Sequence, residues 1–211
     1  MFADRTEAGN QLATTLERQG VEADVVLGIP RGALPIARPV ADALEADLDV
    51  VVARKMGAPS NPELAIGAVA SDGAVWLNDS LVKHLSVSSD YLEDVREREA
   101  ENAATKAARY RDGGEAGTLP DLEGKSVVVV DDGVATGATA IACLRQVREA
   151  GAAHVTLAVP VGSPDSISRL ENEADAVVAL QTPASFRAVG QFYRRFDQVS
   201  DEEAIAYLDR S

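Results

Sequence analysis

Two adjacent carboxylates, Asp131 and Asp132, follow a run of four valines and precede a stretch of small and hydroxyl residues. A valine run of this kind predicts a strand that is buried on both faces of a parallel sheet. Such a strand would deliver the carboxylates to its C-terminal end, which is where open α/β sheets bind ligands. Carboxylates accept hydrogen bonds from hydroxyl groups, so the pair predicts a site for two neighbouring hydroxyls of a ligand.

The next residues, Ala135-Thr136-Gly137-Ala138-Thr139, predict an anion site close to these carboxylates. Small side chains let backbone N–H groups close around an anion at the start of a helix. The hydroxyls of Thr136 and Thr139 add two more donors. A diol beside a phosphate describes a ribose 5-phosphate, and the segment therefore predicts a site for that group. The structural alternative is an acidic turn between a strand and a helix that the threonines cap.

Two other segments offer cations at the ends of predicted strands. Arg31-Gly32 opens a helix after the first strand, so we expect Arg31 and the neighbouring N–H groups to hold a second anion. Arg54-Lys55 leads into residues 55–62, whose Gly, Pro, Ser and Asn are typical of a loop. We expect that loop to be mobile, because few apolar residues anchor it. Each segment taken alone also fits an ordinary turn with surface cations.

Residues 127–139 resemble the signature of the type I phosphoribosyltransferases, which has four apolar positions, two acidic positions and then small or threonine residues. The Arg31-Gly32 turn is similar to the pyrophosphate loop of that family, and residues 54–67 are similar to its flexible lid. The order of PRGA, RKMGAPSNPELAIGAVA, VVVVDDGVATGAT and AVGQFYRRFDQVSDEE resembles a group of predicted phosphoribosyltransferases from bacteria and archaea. This likeness covers nearly the whole chain.

The residue pattern and the resemblance predict the same fold class, an α/β protein with a doubly wound parallel sheet. Strands are expected near residues 24–29, 48–53, 126–130, 154–159 and 174–180, with helices between them. The resemblance implies one domain over residues 1–211, with a flexible lid hairpin at about 54–78 and a small C-terminal hood at about 182–211, to which the N-terminus can contribute. Four aromatic side chains, Phe186, Phe192, Tyr193 and Phe196, fall within eleven residues of the hood. They would stack on a flat base, form a small core or cover a dimer face.

The resemblance also implies a reaction. Ribose 5-phosphate would move from 5-phosphoribosyl 1-pyrophosphate (PRPP) to a nitrogen nucleophile, most simply a nucleobase, with release of pyrophosphate. Mg²⁺ is the implied cofactor, bridging PRPP oxygens, with the two aspartates as further candidate ligands. The implied catalytic residues are Asp131, Asp132, Lys55 and Glu63, the last for proton transfer. The implied PRPP-binding residues are Arg31, Gly32, Arg54, Ala135, Thr136, Gly137, Ala138 and Thr139.

Two other functions stay open on the sequence. One is a PRPP-sensing regulator that performs no catalysis, and the other is a hydrolase of PRPP or of a ribose phosphate. The lid and its Arg54-Lys55 cations favour the transferase over the regulator. The acceptor is not implied, but Ala135 stands where the hypoxanthine/guanine-type members of the family carry an aspartate. We therefore expect those bases to be poor acceptors.

Composition narrows the class of protein further. The 211 residues are 46% hydrophobic but only 4% aromatic, which favours an α/β protein over a ring-packed sandwich or barrel. A net charge of -14 disfavours nucleic acids and anionic membranes as partners. No apolar run reaches the ~18 residues of a membrane span, so we expect a cytoplasmic protein. The resemblance implies PRPP and a small acceptor as its partners, and a homodimer stays open. The acid-rich composition with only four lysines resembles that of halophilic proteins.

Overall fold

The computed structural model describes residues 1–111 and 119–209, and at Glu63 it describes the backbone alone. Within these residues helices alternate with strands. The α-helices are α1 (Arg5–Arg18), α2 (Leu34–Ala43), α3 (Asp79–His84), α4 (Ser89–Ala108), α5 (Ala138–Glu149), α6 (Pro164–Leu170) and α7 (Asp201–Leu208). The strands are β1 (Val25–Gly28), β2 (Asp47–Val50), β3 (Ala53–Ala58), β4 (Asn61–Ala70), β5 (Val75–Leu77), β6 (Ser126–Val130), β7 (His154–Val161) and β8 (Ala176–Gln181). A 3-10 helix spans Val189–Phe192.

The central sheet has five strands in the order β2-β1-β6-β7-β8, and every neighbouring pair is parallel. Its strands form from Val-rich segments because β-branched side chains pack well in a strand that is covered on both faces. The four valines of β6 are all buried, as are seven of the eight residues of β7. The sheet confirms the predicted doubly wound α/β fold.

The strand order reverses between β1 and β6. From β1 the chain moves outward to β2, and it returns later to the other side of β1 as β6. The two strands end in register, with Gly28 opposite Val130, and the N–H of Ile29 donates to the carbonyl of Val130 at 2.9 Å. The segments that follow β1 and β6 therefore leave the sheet side by side, at the switch point where sheets of this kind bind ligands.

A second sheet is antiparallel, has the order β3-β4-β5 and contacts α4 and α5. The prediction of a loop over residues 55–62 was wrong, because β3 continues to Ala58 and pairs with β4 from Asn61 onward. The glycine and prolines of this segment suggest a loop, but Met56 and Ala58 alternate inwards and are buried. Two register shifts beside Gly57 absorb the irregular residues as bulges.

The aromatic residues near the C-terminus pack with the N-terminus. We define the aromatic cluster as Phe2, Phe186, Phe192, Tyr193 and Phe196. Phe2 and Tyr193 are buried, and their ring centroids lie 5.4 Å apart. Backbone hydrogen bonds of 2.8 Å join Phe2 to Phe192 and to Arg194. None of the described helices is both long enough and apolar enough to cross a membrane.

Candidate functional site

Two loops meet at the switch point, one after β1 and one after β6. The first carries Arg31 and Gly32, and the second begins with Asp131 and Asp132. A Cβ atom placed on Gly32 would lie 2.1 Å from Oδ2 of Asp132, which is far inside van der Waals contact. Glycine at position 32 therefore lets the loop after β1 approach the carboxylate of Asp132, which follows β6.

The two carboxylates are half-buried and lie next to each other. The backbone N–H of Asp132 donates to Oδ1 of Asp131 at 2.8 Å. Burial, together with the charge of Asp132, holds the pKa of Asp131 well above its usual range. Burial also raises the pKa of Asp132, but the guanidinium of Arg5, 2.9 Å from Oδ2, opposes that rise. The paired carboxylates thus carry an electrostatic cost that hydroxyl donors of a ligand would relieve.

The loop before α5 is fixed through its carbonyl groups. The hydroxyls of Ser163 and Ser166 donate to the carbonyl of Ala135 at 2.9 and 2.7 Å. Nη1 of Arg169 donates to the carbonyl of Thr136 at 3.0 Å. Because N–H and C=O point in opposite directions across a trans peptide, the N–H groups of these two peptide units point away from α6.

Seven of the residues singled out in the sequence line one cleft of about 200 Å³. They are Lys55, Asp131, Ala135, Thr136, Gly137, Ala138 and Thr139. Gly137 precedes α5 with a φ of +79°, a left-handed conformation that glycine adopts without strain. The cleft therefore combines a carboxylate, a cation and the N-terminus of a helix, which is the set of groups that a sugar phosphate requires.

Comparison with known families assigns this architecture. The family model described as the phosphoribosyl transferase domain matches residues 4–196. The chain belongs to this family. The resemblance seen in the sequence is thereby confirmed at the level of the family.

Two relatives match the whole chain or nearly all of it. A Mycobacterium tuberculosis protein, provisionally named a phosphoribosyl transferase, is 46% identical over all 211 residues, which make up 47% of its length. The chain thus spans about half the length of the curated relatives that it matches in full. The crystal structure of the protein TT1426 from Thermus thermophilus superimposes with a TM-score of 0.82 at 43% identity, covering 99% of this chain and 97% of that one.

A third relative matches part of the chain. The uracil phosphoribosyltransferase of Streptomyces coelicolor is 30% identical over 131 residues, which are 61% of this chain and 58% of that enzyme.

Of the other predicted site residues, Arg31, Gly32, Arg54 and Asp132 do not line this cleft. The guanidinium of Arg31 lies 3.7 Å from the carboxylate of Asp201 on α7. The guanidinium of Arg54 lies 3.3 Å from the carboxylate of Glu99 on α4. Both pairs are partly exposed, so a more highly charged anion is able to replace either carboxylate as the partner of the arginine.

A second pocket, of about 480 Å³, contains Arg54 and adjoins the first. Lys55 and Thr139 line both spaces. Lys55 therefore stands between the small cleft and the larger pocket. A ligand with two anionic ends could contact the lysine while its ends occupy different spaces.

Val189 and Lys106 are among the residues at the site to which no sequence motif assigned a role. Val189, from the 3-10 helix, lines the small cleft. Lys106 of α4 donates from Nζ to the carbonyl of Pro30 at 2.8 Å, under the loop that carries Arg31. Burial, assisted by the charges of Arg54 and Arg31, lowers the pKa of Lys106. The three cations Arg54, Arg31 and Lys106 come from a β-strand, a loop and a helix. Their spacing along the sequence therefore does not show that they are neighbours.

Proposed function

We propose that the protein transfers ribose 5-phosphate from PRPP to a nitrogen nucleophile and releases pyrophosphate. The observation that carries the proposal is the cleft in which Asp131, Lys55 and residues 135–139 meet. A site for phosphate alone would not need a carboxylate, because two negative charges repel each other. A carboxylate beside a phosphate loop suits a ligand that carries both hydroxyls and a phosphate.

Each group of residues has a role in this proposal. Asp131 and Asp132 accept hydrogen bonds from the ribose hydroxyls, and residues 135–139 hold the 5-phosphate through N–H groups and threonine hydroxyls. Arg31, Arg54 and Lys55 bind the pyrophosphate, and Gly32 gives its loop room beside Asp132. Glu63 is the proposed proton-transfer group; its side chain lies outside the described residues.

The proposed transition state places positive charge on the ribose and negative charge on the leaving pyrophosphate. Carboxylates fixed beside the ribose stabilise the first charge, and cations fixed beside the pyrophosphate stabilise the second. Lys55 lines both spaces of the site. It is therefore placed to follow the pyrophosphate as the bond to the ribose breaks, which favours the transition state over the ground state.

The donor set fits Mg²⁺ that arrives with PRPP. Among the residues that the structure describes, no three His, Cys, Asp or Glu side chains cluster as a metal site. Mg²⁺ typically combines one or two carboxylates with phosphate oxygens and water, and Asp131, with Asp132 beside it, offers that number. When bound, the ion would supply positive charge to the pyrophosphate oxygens.

The acceptor is proposed to be a base other than a 6-oxopurine. Ala135 offers only a methyl group to the cleft, so no side chain at this position accepts a proton from a purine nitrogen. Uracil is the first acceptor to try, because a uracil phosphoribosyltransferase matches 131 residues of the chain at 30% identity.

The test measures PRPP binding and pyrophosphate release in the presence of Mg²⁺, against a panel of nucleobases and small amines. Release that requires an acceptor supports the transferase. Equal release without an acceptor supports the hydrolase, and binding without release supports the regulator. If PRPP does not bind, the proposed function is wrong.

The Ser166→Ala variant tests the role of the loop before α5. Ser166 is buried, and its hydroxyl donates to the carbonyl of Ala135. Loss of one such hydrogen bond loosens the loop, and we expect PRPP affinity to fall roughly 5- to 10-fold, as a bond worth about 1 kcal/mol predicts. The matched control is Ser168→Ala, an exposed position of the same helix. Equal affinity in the two variants, measured by calorimetry, would contradict the role of Ser166.

A further inference from the structure

Arg5, at the start of α1, reaches the second carboxylate of the candidate ribose site. Its Nε and Nη2 atoms lie 3.0 and 2.9 Å from Oδ2 of Asp132. Only 11% of the Arg5 side chain and 17% of the Asp132 side chain are exposed. Burial of an ion pair costs desolvation energy. Simple neutralisation of charge at the surface therefore does not explain why Arg5 and Asp132 pair at this position.

The rest of the Arg5 guanidinium contacts the C-terminal segment. Nη1 donates to the carbonyl of Asp197 at 2.7 Å, and the guanidinium carbon lies 3.8 Å from the ring centroid of Phe196. A planar guanidinium held by stacking and by hydrogen bonds has little freedom to turn. Arg5 therefore joins the N-terminal helix, the aromatic cluster and the carboxylate.

The same carboxylate residue is held from two other sides. The hydroxyl of Tyr193 donates to the backbone carbonyl of Asp132 at 2.6 Å. Gly32 packs against the carboxylate so closely that a Cβ atom there would lie 2.1 Å from Oδ2. Both Arg5 contacts use Oδ2, so Arg5 does not occupy Oδ1 of Asp132.

We propose that Arg5 is a positioning residue that orients the Asp132 carboxylate toward the ribose hydroxyls and couples the N- and C-terminal segments to PRPP binding. This inference rests on the proposed function. It assigns to the N-terminal helix a role that the signature motif does not contain. Arg5 also balances one of two adjacent negative charges at the place where an anionic ligand must enter, which lowers the repulsion that PRPP would meet.

The test compares Arg5→Gln, Arg5→Lys and a control variant, Arg195→Gln. Arg195 lies in the same seam between the termini and pairs with Asp4, but it is 70% exposed. We expect Arg5→Gln to weaken PRPP binding roughly 10- to 100-fold, which is the range for loss of a hydrogen bond to a charged group. Arg5→Lys should recover part of the loss, because lysine restores the charge without the planar fork. Arg195→Gln should bind PRPP within about twofold of the unmodified protein, as expected for an exposed ion pair.

If Arg5 only stabilises the fold, Arg5→Gln will lower the melting temperature and leave PRPP affinity unchanged, and the inference is then wrong. The inference is also wrong if PRPP affinity falls by the same factor in Arg5→Gln, in Arg5→Lys and in the control Arg195→Gln. In an active preparation, the KM for PRPP should rise more than kcat falls, since orientation of Asp132 is needed in the bound state.

A cycle on the ligand-free protein separates this inference from the proposed function. The melting temperatures of Arg5→Gln, Asp132→Asn and the double variant show whether the two side chains are coupled. We expect the double variant to melt above the temperature that the two single shifts predict when added. Additive shifts overturn the inference even if PRPP binds, whereas coupling without any PRPP binding retains the Arg5–Asp132 contact and rejects the proposed function.

Discussion

Replacement of Asp131 and Asp132 together by asparagine is expected to weaken PRPP binding by at least about 100-fold, while the protein stays folded. Each carboxylate would lose a charge-assisted hydrogen bond to a ribose hydroxyl, worth roughly 1.5–3 kcal/mol. Titration calorimetry with PRPP and Mg²⁺ measures the change. Unaltered affinity in the double variant would remove the ribose site from this position.

The same substitution at Asp131 alone provides the control for folding. Burial and the neighbouring charge raise the pKa of Asp131 in the folded state, so ionisation of this group costs stability once the pH exceeds the unfolded value of 3.8. We therefore expect Asp131→Asn to raise the melting temperature at neutral pH by about 2–4 °C, which corresponds to about 1 kcal/mol for a chain of this size. The gain should vanish at a pH below the unfolded value, where the carboxyl is protonated in both states. A lower melting temperature at neutral pH would show that the carboxylate contributes to the fold.

The signature loop could be predicted from sequence because its parts are neighbours along the chain. A buried strand, two carboxylates and a helix start follow one another within residues 127–139, and each leaves its own local pattern. The parallel sheet then brings the end of β1 beside the end of β6. The sequence pattern predicted only a second anion site at Arg31-Gly32, and the parallel sheet is what brings this turn beside the carboxylates.

Contacts between distant residues could not be predicted in this way. Arg5 and Asp132 are 127 positions apart, and neither the helix that starts at Arg5 nor the aromatic residues near Phe196 have a spacing that points to the carboxylate. Lys106 falls in a helix whose charged residues suggest a solvated face, yet its Nζ lies beneath the Arg31 loop. Such neighbours follow from how the chain termini and α4 close over the sheet.

The strand β3 was missed for a different reason. Glycine and proline disfavour a regular strand, and in residues 55–62 they outweighed the alternation of Met56 and Ala58. The structure resolves the conflict with bulges beside Gly57, where a Cβ atom would lie 2.5 Å from the carbonyl oxygen of Pro62. The hairpin therefore forms in spite of its composition, and whether it opens and closes around PRPP stays a prediction.

The Gly32→Ala variant is expected to lose PRPP affinity by about 30- to 100-fold, equivalent to the loss of one charged hydrogen bond. The added methyl group would lie 2.1 Å from Oδ2 and 2.9 Å from Cγ of Asp132. Either the carboxylate or the loop that carries Arg31 must move, and both are placed on PRPP in the proposed function. Overpacking of this kind should also destabilise the fold by about 1–3 kcal/mol. Calorimetry with PRPP and thermal unfolding measure the two effects.

Introducing Gly32→Ala into an Asp132→Ala protein shows whether the clash with Asp132 causes the loss of stability. In an Asp132→Ala protein the two clashing atoms are absent, and the next contact of the added Cβ is Nε of Arg5 at 3.4 Å, an ordinary separation. In the Asp132→Ala protein, Gly32→Ala should therefore leave the melting temperature nearly unchanged. In the unmodified protein, the same substitution should lower the melting temperature. An equal drop in both backgrounds would mean that alanine disturbs the loop itself, and that the approach of Gly32 to Asp132 has no part in holding the site together.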